Sequence, residues 1–246
     1  TEYAQMRGFL LHSILDVLPV GAAPIANAGV FHIDDYPAAV TAEKLEPIRS
    51  EYDLPIHKYY RDKWLPDMLR IAEEREMRYL FAIPFNYNIS TTPGEDGRWS
   101  FSEWERSAIR ELETEPFGVT EARKIRRAGH ELSLHGYNHR SLLGDPENAG
   151  DPNYWLGETG GTVGTMRSSV DAARERWFSD GLGPLPTTYV APNNKIDETG
   201  LLVLSQAFPE LAVFASDITI PFDMGGRTDF GTDPVNPHFF ALPRWT

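Results

Sequence analysis

Two pairs of side chains in this 246-residue chain have the types and spacing for hydrolytic chemistry. The first is Asp34 and Asp35 in "HIDDYP", adjacent carboxylates that close a run of otherwise buried-looking residues. Two close carboxylates repel, so one of them needs a cation or a proton. Successive strand residues point to opposite faces, but at a frayed strand end both acids can turn toward one cavity. The second pair is His135 and His139 in "HGYNH". Spaced four apart, both imidazoles face one point if the segment makes a helical turn at a strand end. Two histidines and a carboxylate, with open positions for water, make a catalytic site for zinc or a similar divalent ion. Singly, each pair has a plainer meaning: a turn or helix cap before Pro37, and two unrelated polar residues in a loop. Their joint occurrence at the ends of two separate strands favours one shared site.

Other polar residues stand in the same relation to apolar runs. Asn193 and Asn194 follow "YVAP" and are expected near substrate, while Asp217 ends "FASD" and His32 precedes the acidic pair. These last two are expected to orient the reacting groups, since a ligand or base needs an orienting partner. His12, His57 and His130 lie in apolar, loop and helix-ending contexts and are read as structural. His238, in "NPHFF", is the one histidine after residue 139, and a late strand could carry it to the same face.

The elements that must position these groups are short β-prone runs alternating with helix-like stretches. Runs at 29–37, 77–88, 130–139, 187–195 and 210–217 read as strands that end in Asp, Asn or His. Between them, "DKWLPDMLRIAEERE" carries Leu65, Met68, Leu69 and Ile71 at helical spacing. "VTEARKIRRAG" has a capping-type Thr120 and a terminal Gly129, and "VGTMRSSVDAARERWF" and "DETGLLVLSQAF" complete the set. Alternation of this kind predicts a parallel sheet with right-handed crossovers, open or closed into a barrel, with function at the carboxyl ends of its strands. Two long stretches, 86–107 and 142–161, are rich in Gly, Pro, Asn and Asp yet carry Trp99, Trp104, Tyr154 and Trp155. Loops of this length are often binding elements, and these aromatic residues are candidate platforms for sugar rings.

Composition narrows the partners. With 36 acidic against 23 basic residues, the net charge of −13 argues against a nucleic-acid backbone or an anionic membrane. The chain has no cysteine, so any metal must be held by His, Asp or Glu. No apolar run is long enough to span a bilayer. The length suits one α/β domain over residues 1–246, expected to be cut from a longer protein, which would leave the absence of a signal peptide uninformative.

"FHIDDYP" and "LHGYNH" together resemble the polysaccharide deacetylase superfamily, the NodB-homology or carbohydrate esterase family 4 proteins, in order, local context and separation. The resemblance covers residues 29 to 217. It implies a distorted (β/α) barrel, Asp34 as general base, and Asp35, His135 and His139 as ligands of one divalent metal, zinc with cobalt or nickel as alternatives. It also implies an N-acetylated amino-sugar polymer as substrate, for which Asn193, Asn194, Trp99 and Trp155 are the candidate contacts from the residues themselves, and hence an extracellular, periplasmic or cell-surface location. Three departures stand out. Val190 occupies the position of the family's usual arginine, so the usual orienter of the base is absent. His32 stands where a small residue is common. The closing Leu-x-His motif has no clear match, which leaves His238, or a residue beyond Thr246, as general acid. A divergent member resembling microbial exopolysaccharide deacetylase domains is expected. Two other readings remain open: a glycoside hydrolase pairing Asp34 or Asp35 with Glu158 or Asp197, and a carbohydrate-binding domain of the same fold without chemistry.

Overall fold

The structure is a computed structural model, and it describes residues 30–38, 40, 42–85, 118–144, 162–217 and 231–244. All five expected strand runs form strands, each shorter than its run: β1 Phe31–Asp34, β2 Tyr79–Ile83, β3 Glu131–Leu134, β4 Thr188–Val190 and β5 Val213–Asp217. Two further strands, β6 Gly231–Thr232 and β7 Phe240–Arg244, complete a seven-stranded sheet of order β1-β2-β3-β4-β5-β7-β6. Every ladder is parallel except β6 with β7. Proline inside β7 masks it in the sequence. Because β6 pairs only with Phe240 and Ala241, Pro243 lies on an edge, where a strand tolerates proline.

The helices are α1 Ile48–Tyr52, α2 Ile56–Tyr59, α3 Leu65–Glu74, α4 Val119–Arg127, α5 Val163–Ser179 and α6 Glu198–Ala207, with a single π turn, Tyr60–Trp64, joining α2 to α3. In α3 Leu65 and Ala72 are buried and Met68 and Leu69 are partly buried against the core, while Ile71, expected inside, is exposed. Gly118, not Thr120, is the cap residue before α4, and having no side chain it makes no side-chain capping bond; Gly129 ends that segment at φ 85, as expected. Thr162 accepts from the Thr165 N–H to cap α5. No helix of the described residues is long and apolar enough to cross a membrane.

Helices α3 to α6 pack on one face of the sheet, where Leu65, Ile125, Trp177 and Leu204 join Phe81, Tyr189 and Phe214 in the main core. The other face carries a small cluster of Leu80, Ala82, Val190 and Ala215, with Leu242 against it. By strand alternation His32, Asp34, Ser133 and Arg244 share this inner face. No ladder joins β1 to β7, yet the Arg244 guanidinium reaches the Asp34 carboxylate at 2.7 Å. The sheet is therefore curled about its narrow inner lining into an incomplete α/β barrel, bridged between its first and last parallel strands by side chains.

Asp197 contributes to this frame rather than to chemistry. One carboxylate oxygen accepts from Gly200 N–H at 2.8 Å, capping α6, and the other accepts from Gly144 N–H, tying the segment after the two histidines to that helix. Asp197→Ala is expected to lower unfolding stability by about 1–3 kcal/mol, the loss of a cap plus a second stranded donor. An unchanged urea midpoint at constant slope would refute this role.

Candidate metal centre

The site forms at the carboxyl ends of β1 and β3. Alternation along β1 sends Asp34 inward and would send Asp35 out, but Asp35 takes φ 63, a left-handed conformation that aspartate adopts more readily than most residues. Its carboxylate thereby reaches both histidines. After β3, the His135 N–H donates to the Ile83 carbonyl at 2.9 Å, which extends the β2–β3 ladder by one step and fixes the start of the turn. Gly136 follows at φ 72, a conformation that favours glycine, and a Cβ there would lie a tight 3.1 Å from Pro192 Cγ. His139 closes the turn at φ 55.

His135 is almost fully buried, and its Nδ1 lies 2.7 Å from the Val190 carbonyl. A carbonyl can only accept, so Nδ1 carries the proton and Nε2 presents its lone pair to the site. That Nε2 is 3.6 Å from Asp35 Oδ1, and the His139 Nε2 is 3.3 Å from the same oxygen. Both separations exceed ordinary hydrogen-bond lengths of about 2.7–3.2 Å. They match the spacing of two ligands on a tetrahedral ion, about 3.4 Å for bonds near 2.1 Å. One donor atom from each of Asp35, His135 and His139 falls within 4.8 Å of the others. The donor set, its spacing and the tautomer of His135 all fit a divalent ion. Burial holds the His139 pKa below the usual histidine value, against the opposing pull of Asp35, which favours the neutral, ligating form.

Asp34 stands beside this cluster with Arg244 as partner, through contacts of 2.7 and 3.4 Å. Val190 stands at the β4 end, as the sequence shows, and the guanidinium beside the acid comes instead from β7. His32 lies one inward position below Asp34 on β1. Burial, reinforced by the charge of Arg244, pushes its pKa down to about 4, and its Nδ1 has no partner among the described residues.

The other candidates are placed as follows. Asn193 and Asn194 sit in the turn Pro192–Asn194 after β4, at φ 54 and 58, on the same sheet end as the cluster. Asn193 is tied to Ser141 Oγ at 3.5 Å, and Ser141 in turn donates to the Pro192 carbonyl. Asp217 ends β5, its backbone paired with Arg244. His238 does not join the site: it precedes β7, at the amino end of the sheet, where its Nε2–H donates to the Leu211 carbonyl at 2.7 Å. The strand expected to carry it to the cluster runs away from it, so His238 is no candidate acid for this centre. His130 is structural, as expected, accepting the Tyr79 N–H and stacking on that ring. His12, Trp99, Trp104, Tyr154, Trp155 and Glu158 lie outside the described residues.

A family model described as "Uncharacterised protein conserved in bacteria (DUF2194)" matches residues 2–223. The chain belongs to this DUF2194 family. No curated protein matches it. Among solved structures, this DUF2194 chain is similar to a candidate polysaccharide deacetylase from Mycobacterium smegmatis, at 18% identity and TM-score 0.41, over 80% of this chain and 55% of that one. It is also similar to a CE4 family pseudoenzyme from Bacillus anthracis, at 10% identity and TM-score 0.39, over 62% and 38% of the two chains. A third is the α-amylase AmyC from Thermotoga maritima, at 11% identity and TM-score 0.47, over 87% and 44%. The DUF2194 chain thus spans about half the length of these structures, or less. Similarities this distant do not choose among an esterase, an inactive relative and a glycosidase. The choice rests on the side chains.

Proposed function

We propose that this chain is a metal-dependent deacetylase that removes N-acetyl groups from an amino-sugar polymer. The observation that carries the reading is the cluster of Asp35, His135 and His139 at ligand spacing, with a second carboxylate, Asp34, beside it and held by an arginine. The same two motifs carry the resemblance to NodB-homology deacetylases. A divalent ion bound by the three residues would supply Lewis acidity toward water and toward the acetyl carbonyl. Asp34 acts as general base: it takes a proton from the water whose oxygen bonds to the acetyl carbon, the amide C–N bond breaks as that proton passes on to the leaving nitrogen, and the products are acetate and a free amine. Arg244 fixes the direction of the Asp34 carboxylate. The polymer places the enzyme outside the cytoplasm or at the cell surface.

The glycoside hydrolase alternative loses its described partner acid, since both oxygens of Asp197 serve as backbone caps. It also leaves the histidine pair without a use.

The test is incubation of zinc-, cobalt- or nickel-loaded protein with a soluble N-acetylglucosamine oligomer. Acetate and free amine should appear in equal amounts, with no new reducing ends. Reducing ends without acetate would establish glycosidase chemistry instead. Within this reading Arg244 is a positioning residue, so Arg244→Met should lower kcat by roughly 10- to 100-fold while metal content is retained, as expected of a misaligned catalytic group. Arg244→Lys, which keeps a cationic donor for Asp34, should recover part of that loss. Unchanged kcat in folded, metal-loaded Arg244→Met would mean that the pair only bridges the sheet.

A further inference from the structure

Beside the two carboxylates, on the β1 side, lies a cavity of about 300 Å³. Asp34 and Asp35 form one edge, and its wall includes Ile33, Ile56, Tyr60 and Trp64. The aromatic wall comes from the π turn between α2 and α3, a kind of helix widening frequently found at functional sites. Tyr60 and Trp64 meet edge to face, with centroids 5.5 Å apart, and both pack on Tyr36, at 5.7 and 5.0 Å. Tyr36 is buried and follows Asp35 directly in the chain, so the wall and the cluster share one rigid support. The rings of Tyr60 and Trp64 remain half-buried, anchored to the core while lining the cavity.

Two larger grooves, about 740 and 720 Å³, open at the amino ends of β2 and β3 around Arg78 and His130. They lie at the sheet end opposite the cluster, and charged side chains there are interspersed by sign. The smaller cavity differs in chemistry: apolar rings on one side, hydrogen-bond acceptors on the other.

We propose that this cavity seats one hexosamine ring of the polymer, its apolar face against Trp64 and Tyr60 and its hydroxyls toward the carboxylate edge. Aromatic rings offer flat apolar faces to the C–H face of a pyranose, and their polar tips stay available for hydrogen bonds. The volume is at the small end of ligand pockets, which run from about 300 to 1,000 Å³, and suits one sugar ring rather than several. Tyr60 and Trp64 are then specificity residues of the deacetylase proposed above. The inference rests on that reading for the identity of the sugar.

Binding can be measured apart from turnover. In zinc-loaded Asp34→Asn protein, calorimetry with N-acetylglucosamine tetramer gives a reference affinity. Adding Trp64→Ala should weaken it at least tenfold, and Trp64→Phe should restore most of the loss. Should Trp64→Ala fail to fold, Ile56→Trp fills the cavity from another wall and should exclude the tetramer to the same degree. Unchanged affinity in either folded variant overturns the proposal, as does absence of tetramer binding to the reference protein. Acetate release by the unmutated enzyme, with Trp64→Ala binding unimpaired, would remove the pocket and keep the deacetylase. Binding lost in Trp64→Ala, with no acetate release from the unmutated protein, would keep the pocket and remove the deacetylase.

Discussion

Asp34→Asn should reduce acetate release by about 10²- to 10⁴-fold, the usual contribution of a positioned general base, with metal content and circular dichroism preserved. The substitution is nearly isosteric, and the amide oxygen can still accept from Arg244, so the bridge between β1 and β7 survives in neutral form. What disappears is the basic carboxylate. Asp34 is outside the three-residue donor cluster, which is why ion binding should persist. The pair of readouts separates Asp34 from its neighbour, because Asp35→Asn should lose the ion together with the activity. Acetate release that continues in metal-loaded Asp34→Asn would assign the proton transfer elsewhere. Loss of the ion in Asp34→Asn would make that carboxylate a ligand, and the division of labour between the two acids would have to be redrawn.

Much of this centre was legible in the sequence because it is local. The acids are adjacent and the histidines are four apart, and each pair ends a strand whose apolar run is visible by itself. Strand alternation and the terminal turns then bring the pairs together, through left-handed conformations at Asp35 and His139 that no periodicity announces. What was not legible depends on distance along the chain. Arg244 lies 210 residues from Asp34, in a proline-containing run that does not read as a strand, and only the curl of the sheet makes them partners. His238 misled for the related reason that a strand has two ends. The histidine precedes β7 while the arginine finishes it, so the residue expected at the site and the residue found there mark opposite ends of one element. Trp64 was hidden at the start of a helix-like stretch whose apolar stripe is explained by packing, and Tyr60 lies just before it. The π turn that sets them against Tyr36 leaves no signature in residue spacing.

The second large effect is expected at the metal. His135→Ala should lower zinc affinity on the order of 100-fold or more, since loss even of a residue that merely supports a ligand costs about 10- to 100-fold. Elemental analysis after dialysis should find about one ion per chain in the unmutated protein and little in the variant. His135 also donates Nδ1–H to the Val190 carbonyl inside the barrel, so its removal strands a buried acceptor and should cost about 1–3 kcal/mol of stability. Metal loss in that variant alone could then follow from disorder. His139→Asn separates the two effects. His139 is partly exposed and sits at φ 55, a conformation asparagine tolerates well, so the turn should persist while the ligand is removed. Ion binding should also weaken as the pH falls below the usual histidine value, because burial holds the His139 pKa down and protonated imidazole cannot ligate. Retention of a full equivalent of zinc in both folded variants would show that the two imidazoles are not ligands, and the proposed chemistry would lose its centre.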